Sequence, residues 1–170
     1  DSLIGYIEFG VYKGVSINYF SNVFENKDSV FIGLDVFTGL PHAWDTAGFP
    51  KGSFDAGGNL PEITDKRVYI IKGLFQDTVN KWLSILEELK NTHTIVAHFD
   101  ADLYSSTLFG LSKLSNLGVP FYAIFDEFYG DECRALSDFC HSFEYKWSFL
   151  GSGARSYSKG GHEGEVCQIN

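Results

Sequence analysis

The sequence predicts a doubly wound α/β protein: a mostly parallel seven-stranded sheet with helices on both faces and an antiparallel final strand. Three observations carry this. Short apolar runs alternate with segments of helical period almost throughout. The runs are continuous rather than alternating, as befits strands buried on both faces of a parallel sheet. The last two runs follow one another with no helix between them, which points to an antiparallel edge.

Each element follows in order. A strand is expected over 3–9. A helix is expected over 14–24, with Val15, Tyr19, Phe20 and Val23 on its inner side. Strands follow over 29–37 and 67–72. A helix over 76–90 directs Val79, Trp82, Leu83, Leu86 and Leu89 at the core. The run Ile95, Val96, Ala97 makes the next strand, and its helix bears Leu108, Leu111, Leu114 and Leu117 before Gly118 and Pro120 stop it. Phe121 to Phe125 is the fifth strand, 131–143 its helix, and strands over 145–150 and 165–169 close the chain.

Composition bounds the rest. The 170 residues suit one domain spanning 1–170, with 44% hydrophobic residues and sixteen Phe, which excludes a disordered chain. No apolar stretch is long enough to span a bilayer, so no membrane partner is expected. A net charge of −9 argues against nucleic acid, whose phosphates call for a basic surface. Cys133, Cys140 and Cys167 lack metal-type spacing; the first two share a helical face with Leu136, Phe139 and Phe143 and read as small buried hydrophobes. A reduced, cytoplasmic setting fits them. The chain has no Met and starts at Asp1, so an upstream segment is expected. Sixteen Phe leave room for an apolar interface between copies, as in a homo-oligomer, but the sequence does not fix the oligomeric state.

Segment 38–62 holds three of the four prolines and five glycines. Loops of that length are uncommon and tend to be functional, so it reads either as a substrate lid carrying His42 and Trp44 or as a plain insertion.

The chemistry gathers where strands end. Asp100 and Asp102 follow the fourth strand, and Asp126 and Glu127 the fifth. Open α/β sheets bind ligands at that edge. Carboxylates from neighbouring strand ends repel unless a cation, a proton or wide spacing relieves them. Oxygen donors suit Mg²⁺, Ca²⁺ or Mn²⁺ rather than Zn²⁺. Asp100 and Asp126 are read as metal ligands in preference to helix caps, and Asp102, just before L-Y-S-S-T, as a cap. His98 reads as a packed core histidine rather than a base. Between the first strand and helix, Glu8-Phe-Gly10-Val-Tyr-Lys-Gly14 offers a turn where backbone approaches a ligand or where helix and strand simply pack closely. Its spacing is not that of a dinucleotide fingerprint. Asp35, ending the second strand, is placed to hold ribose hydroxyls.

The motifs E-F-G-V-Y-K-G, L-D-V-F-T-G-L-P, K-G-L-F-Q-D-T-V, H-F-D-A-D-L-Y-S-S-T and I-F-D-E-F-Y-G-D occur in that order. Together they resemble the macrocin O-methyltransferase family, a metal-dependent branch of the class I S-adenosylmethionine methyltransferases. The resemblance implies a Rossmann-like methyltransferase fold and transfer of a methyl group from S-adenosylmethionine to a hydroxyl of a small molecule or sugar. Glu8, Gly10 and Gly14 would lie beneath the methionine part of the cofactor, Asp35 at the ribose, and Phe75 and Gln76 at the adenine. Asp100, Asp126 and Glu127 would hold Mg²⁺, with Asp100 also touching cofactor and serving as base. His42 is a second candidate base. The family usually carries two aspartates after the fifth strand, where this chain has Asp126-Glu127. Catechol-type relatives carry a lysine where this chain has Leu103. The other reading is a non-catalytic S-adenosylmethionine- or nucleotide-sugar-binding module of the same fold.

Overall fold

The computed structural model describes residues 2–128, 130–154 and 163–170. Its elements are β1 (Ile4–Phe9), α1 (Val15–Val23), β2 (Val30–Asp35), β3 (Val68–Lys72), α2 (Phe75–Leu89) and β4 (Thr94–Phe99). They continue with α3 (Tyr104–Leu114), β5 (Phe121–Phe125), α4 (Asp131–Phe143), β6 (Trp147–Ala154) and β7 (Glu163–Ile169). One seven-stranded sheet runs in the order β3-β2-β1-β4-β5-β7-β6. β1 to β5 are mutually parallel, and β7 lies antiparallel to both β5 and β6. The antiparallel strand is therefore inserted, and the edge beyond it is β6.

The chain winds outward from β1 through β2 and β3, then returns to β1's other side at β4. That reversal opens a crevice at the carboxyl ends of β1 and β4, where such sheets take ligands.

Strand alternation divides the core in two. On one face Ile7, Phe9, Ala97, Phe99, Ala123 and Phe125 meet Trp82 and Leu86 of α2, Leu111 and Leu114 of α3, and Leu136 and Phe139 of α4. Phe9 stacks on Phe99 at 5.0 Å, and Phe99 on Phe125 at 5.2 Å. Gly110 lets α3 sit against this stack, since a Cβ there would lie 2.8 Å from the Phe99 ring. On the other face Tyr6, Phe31 and Val96 meet Ile17 of α1, with Phe20 and Phe24 packed on them.

Helices thus cover both faces, three against one, because 38–62 stands where the helix between β2 and β3 would be. The inward side of α2 is as expected. That of α1 is so only at Phe20, which packs on the core: Val15 and Tyr19 are 72% and 62% exposed and Val23 is exposed, while Ser16, Ile17 and Ser21 are buried. The reason is Ser16, whose hydroxyl turns inward to donate to Glu8 at 2.9 Å. A buried stripe containing serines does not stand out by hydrophobicity, and the rival stripe Val15–Tyr19–Val23 does. Phe143, expected on the inner side of α4, is also exposed. Cys140 and Cys167 are buried and Cys133 is intermediate. Burial pushes the Cys140 thiol up to about 11. No helix among the described residues is long and apolar enough to cross a membrane.

Candidate active site

The β1–α1 turn begins at Gly10, whose φ is +92° and whose N–H donates to Leu34 O at 2.9 Å. A Cβ at Gly10 would lie 1.9 Å from the Asp100 carbonyl oxygen, so only glycine lets the two strand ends come together. Asp35 fixes the turn from β2. Its Oδ2 accepts from the N–H groups of Val11 (2.9 Å) and Tyr12 (2.7 Å), and its Oδ1 from that of Phe37 (2.7 Å). A carboxylate has about four acceptor positions, so Asp35 keeps capacity for a hydroxyl.

A cavity of about 950 Å³ opens beside this turn. Gly10, Asp35, Phe75 and Gln76 line one end of it, and Asp100, Asp126 and Glu127 the other. Seven of the nine residues singled out for ligand or metal are therefore neighbours. Gln76 is exposed on the first turn of α2, and Phe75 packs its ring edge on Phe9 at 5.2 Å.

Glu8 and Gly14 do not line the cavity. Gly14 has φ +76°, and a Cβ there would lie 2.8 Å from Pro61, so this glycine seats the end of the long segment against α1. Glu8 is fully buried. It accepts from Tyr6 Oη (2.5 Å) and Ser16 Oγ (2.9 Å) and stands 3.3 Å from His98 Nδ1. The parallel register sets Glu8 directly opposite His98. Burial is the largest single influence on His98 and disfavours its charge. The Glu8 hydrogen bond and the charges of Glu8, Asp100 and Asp126 together outweigh it, and the imidazole pKa is raised.

Asp102 is not a cap. The N-cap of α3 is Leu103, with no side-chain capping bond, and Asp102 sits at φ +61° with its residue lining the cavity. Burial, then the charges of Asp100, Glu127, Asp126 and Asp35, raise its carboxyl to about 8. Sequence reasoning also missed Glu132. In the first turn of α4 it is buried and accepts the Glu127 N–H at 3.2 Å. Its pKa stands well above the ordinary carboxylate range, through burial first and the charges of Asp100, Asp102 and Asp126 as well, against the Glu127 bond.

Among the described residues, His98, Asp100 and Asp126 offer donor atoms that all lie within 4.8 Å of one another. Glu127 is outside that group. Strand alternation accounts for it: His98 and Asp100 continue the face of Val96, and Asp126 that of Tyr122 and Ile124, whereas Glu127 falls on the opposite side.

Segment 38–62 is folded rather than structureless. Leu40 and Ser53 pair through Leu40 N–H to Ser53 O (2.9 Å), Gly52 N–H returns to Leu40 O (2.9 Å), and Trp44 bridges to Phe49. The Trp44 and Phe49 rings stack at 5.6 Å and line the cavity with His42 and Phe54. Thr46 Oγ1 donates to Asp131 Oδ2 at 3.0 Å, tying the segment to α4. No lysine or arginine is among the described residues that line the cavity. An acidic wall of this kind favours cationic occupants.

No protein-family model matches the chain, and no curated protein matches it. Solved structures do. CalS11, a calicheamicin methyltransferase, is 23% identical with a TM-score of 0.59, over 98% of this chain and 71% of its own. An O-methyltransferase from Bacillus cereus in complex with SAH is 16% identical with a TM-score of 0.55, over 98% and 74%. A cmcI structure with Mg-SAM is 16% identical with a TM-score of 0.52, over 86% and 56%. The fold is that of the Rossmann-like methyltransferases. At these identities the likeness is one of architecture.

Proposed function

We propose that this protein is an S-adenosylmethionine-dependent O-methyltransferase acting on a hydroxyl of a small molecule or sugar. One observation carries the reading: a single cavity at the strand reversal joins the Gly10–Asp35 turn to the Asp100–Asp126 carboxylates. Its volume of about 950 Å³ is at the upper end for one ligand and leaves room for a cofactor beside an acceptor.

S-adenosylmethionine would supply an electrophilic methyl group. Gly10 allows backbone approach beside it, Asp35 offers acceptor capacity to the ribose, and Phe75 and Gln76 bound the place of the adenine. The acidic wall favours a sulfonium, and that attraction lapses once the methyl group has left and the charge is gone. A divalent cation fits the donor set at Asp100 and Asp126 and would lower the pKa of an acceptor hydroxyl. Trp44 and Phe49, on the cavity wall, would offer a flat apolar face to a sugar ring. Asp100, or His42 on the covering segment, would take the hydroxyl proton.

The same lining favours an uncharged acceptor, such as a glycoside, over a nucleotide sugar. A diphosphate would enter an acidic cavity whose described lining includes no lysine or arginine. Calorimetry with S-adenosylmethionine and S-adenosylhomocysteine tests the cofactor half. Binding by the native chain that falls at least tenfold in Asp35→Ala supports the reading, and no binding to the native chain sinks it. Transfer of isotopically labelled methyl to a glycoside library then tests the chemistry; a chain that binds cofactor but never turns over is the non-catalytic module instead.

A further inference from the structure

We propose that the cation site of this cleft is a mixed nitrogen–oxygen centre formed by His98, Asp100 and Asp126, with Glu8 as the carboxylate that orients the histidine. It takes a first-row transition ion, Co²⁺ or the harder Mn²⁺, in preference to Mg²⁺, since affinity for a nitrogen-containing site rises along that row. The inference rests on the reading that the cleft holds a cation beside the acceptor, and it replaces an all-carboxylate set with one that excludes Glu127.

The donor atoms carry the geometry. Ligands about 2.1 Å from one ion lie about 3 to 4.2 Å from each other, so a group already within 4.8 Å needs only small side-chain adjustments. The alternation of β4 and β5 keeps all three on one face and turns Glu127 to the other.

The hydrogen bonds carry the rest. Tyr6 has one hydroxyl proton, and it goes to Glu8 Oε2 at 2.5 Å. The Tyr6 oxygen, 2.9 Å from His98 Nδ1, can then only accept. Glu8 Oε2, 3.3 Å from the same nitrogen, is likewise an acceptor. Nδ1 therefore carries the proton, and Nε2 is the nitrogen available to a ligand. Nε2 makes no hydrogen bond among the described residues, in a side chain that is 2% exposed. The ring is held in place by Phe20, edge to face at 5.5 Å. Ser16 completes the support by donating to the other Glu8 oxygen at 2.9 Å. A histidine that gives one ring N–H to a buried carboxylate, keeps its other nitrogen for a ligand and has a donor atom within 4.8 Å of those of two aspartates has the arrangement of a metal ligand with its supporting shell. Imidazole suits later first-row ions, whereas Mg²⁺ prefers oxygen throughout. Glu8 thereby gains a task that its absence from the cavity wall left unexplained.

The decisive measurement is pulsed electron paramagnetic resonance on the full chain, stripped with chelator and reloaded with Mn²⁺. Modulation from a directly bound imidazole nitrogen is expected, unchanged in His42→Ala and Glu127→Gln and lost in His98→Gln. Calorimetry should show Glu8→Gln weakening Mn²⁺ binding by about 10- to 100-fold. His98→Gln should narrow the preference for Mn²⁺ over Mg²⁺ by at least tenfold. If His98→Gln does not fold, the native spectrum and the His42→Ala control still decide. Mn²⁺ bound without a nitrogen signal, or a signal lost in His42→Ala, overturns the proposal, as does loss of binding in Glu127→Gln. S-adenosylhomocysteine calorimetry on the same samples separates the two readings. Binding of that ligand without a nitrogen signal sinks only the metal assignment, and a nitrogen signal without it sinks only the methyltransferase reading.

Discussion

The two ends of the cleft use the same residue type to opposite effect. At the β1–β2 end the protein supplies its own donors: Asp35 takes three backbone N–H groups, and Glu8 takes Tyr6, Ser16 and the His98 ring. At the β4–β5 end Asp100, Asp102, Asp126 and Glu127 gather on a wall whose described residues include no lysine or arginine, and burial first, then the neighbouring charges, raise the Asp102 carboxyl to about 8. A carboxylate surrounded by donors stabilises the fold, and one surrounded by carboxylates strains it until a cation or proton arrives.

Substitutions can break this contrast. The largest effect is expected from Asp35→Ala, which strips three backbone donors of their acceptor. Denaturant unfolding should show a loss of about 3 kcal/mol, and an unchanged midpoint would mean that water replaces the carboxylate at no cost. The next is a pH effect on metal-free protein. Asp102 holds its proton more tightly folded than unfolded, so between pH about 4 and about 8 the folded chain carries the extra proton and stability falls as pH rises. Asp102→Asn should flatten that decline by roughly 2 kcal/mol, read from unfolding curves at several pH values. A slope as steep as the native one would place the strain elsewhere.

Asp126→Asn inverts the sign seen at Asp35. Relieving like-charge repulsion should stabilise the metal-free chain by about 0.5–1 kcal/mol, and this gain should disappear when the native protein is compared with saturating cation. A loss in the metal-free state would show the two ends to be alike. The smallest effect concerns the covering segment. Thr46→Val removes its exposed bond to Asp131; stability should change by about 0.5 kcal/mol or less, while hydrogen exchange at Trp44 and Phe49 should quicken. Unaltered exchange would leave the segment held by its own internal pairing.

Most of the fold was legible because its signals are local. Helix α2 shows its buried side by Trp82 and Leu86, and the short 3₁₀ turn Ser115–Leu117 that follows α3 stops where Gly118 adopts φ +65°. Acid-tipped strands and the Gly10 turn likewise announced the cavity. The misreadings have one cause. The inner face of α1 and the role of Asp102 each have a bland local interpretation, and each is decided by a partner far away in sequence; His98 is buried as its position in β4 suggested, and only its partner was out of view. Ser16 turns inward for Glu8. Asp102 is exposed to the field of Asp126 and Glu127, and His98 meets Glu8 across 90 residues. Pairing β1 with β4 in register would have found the last of these, since it sets Glu8 against His98.

By itself the sequence determined the alternation of strand and helix, the reversal-point cleft and the kinds of side chain at its rim, because hydrophobic period and turn residues act over a few positions. The tertiary structure decided which carboxylates are satisfied and which compete. It seated Gly14 against Pro61, sent Glu8 into the core, took Asp102 from its helix end and set His98 beside Asp100 and Asp126. Hydrogen bonding and Coulomb forces depend on distance in space, and only the assembled sheet brings residues 8, 98 and 126 to one place.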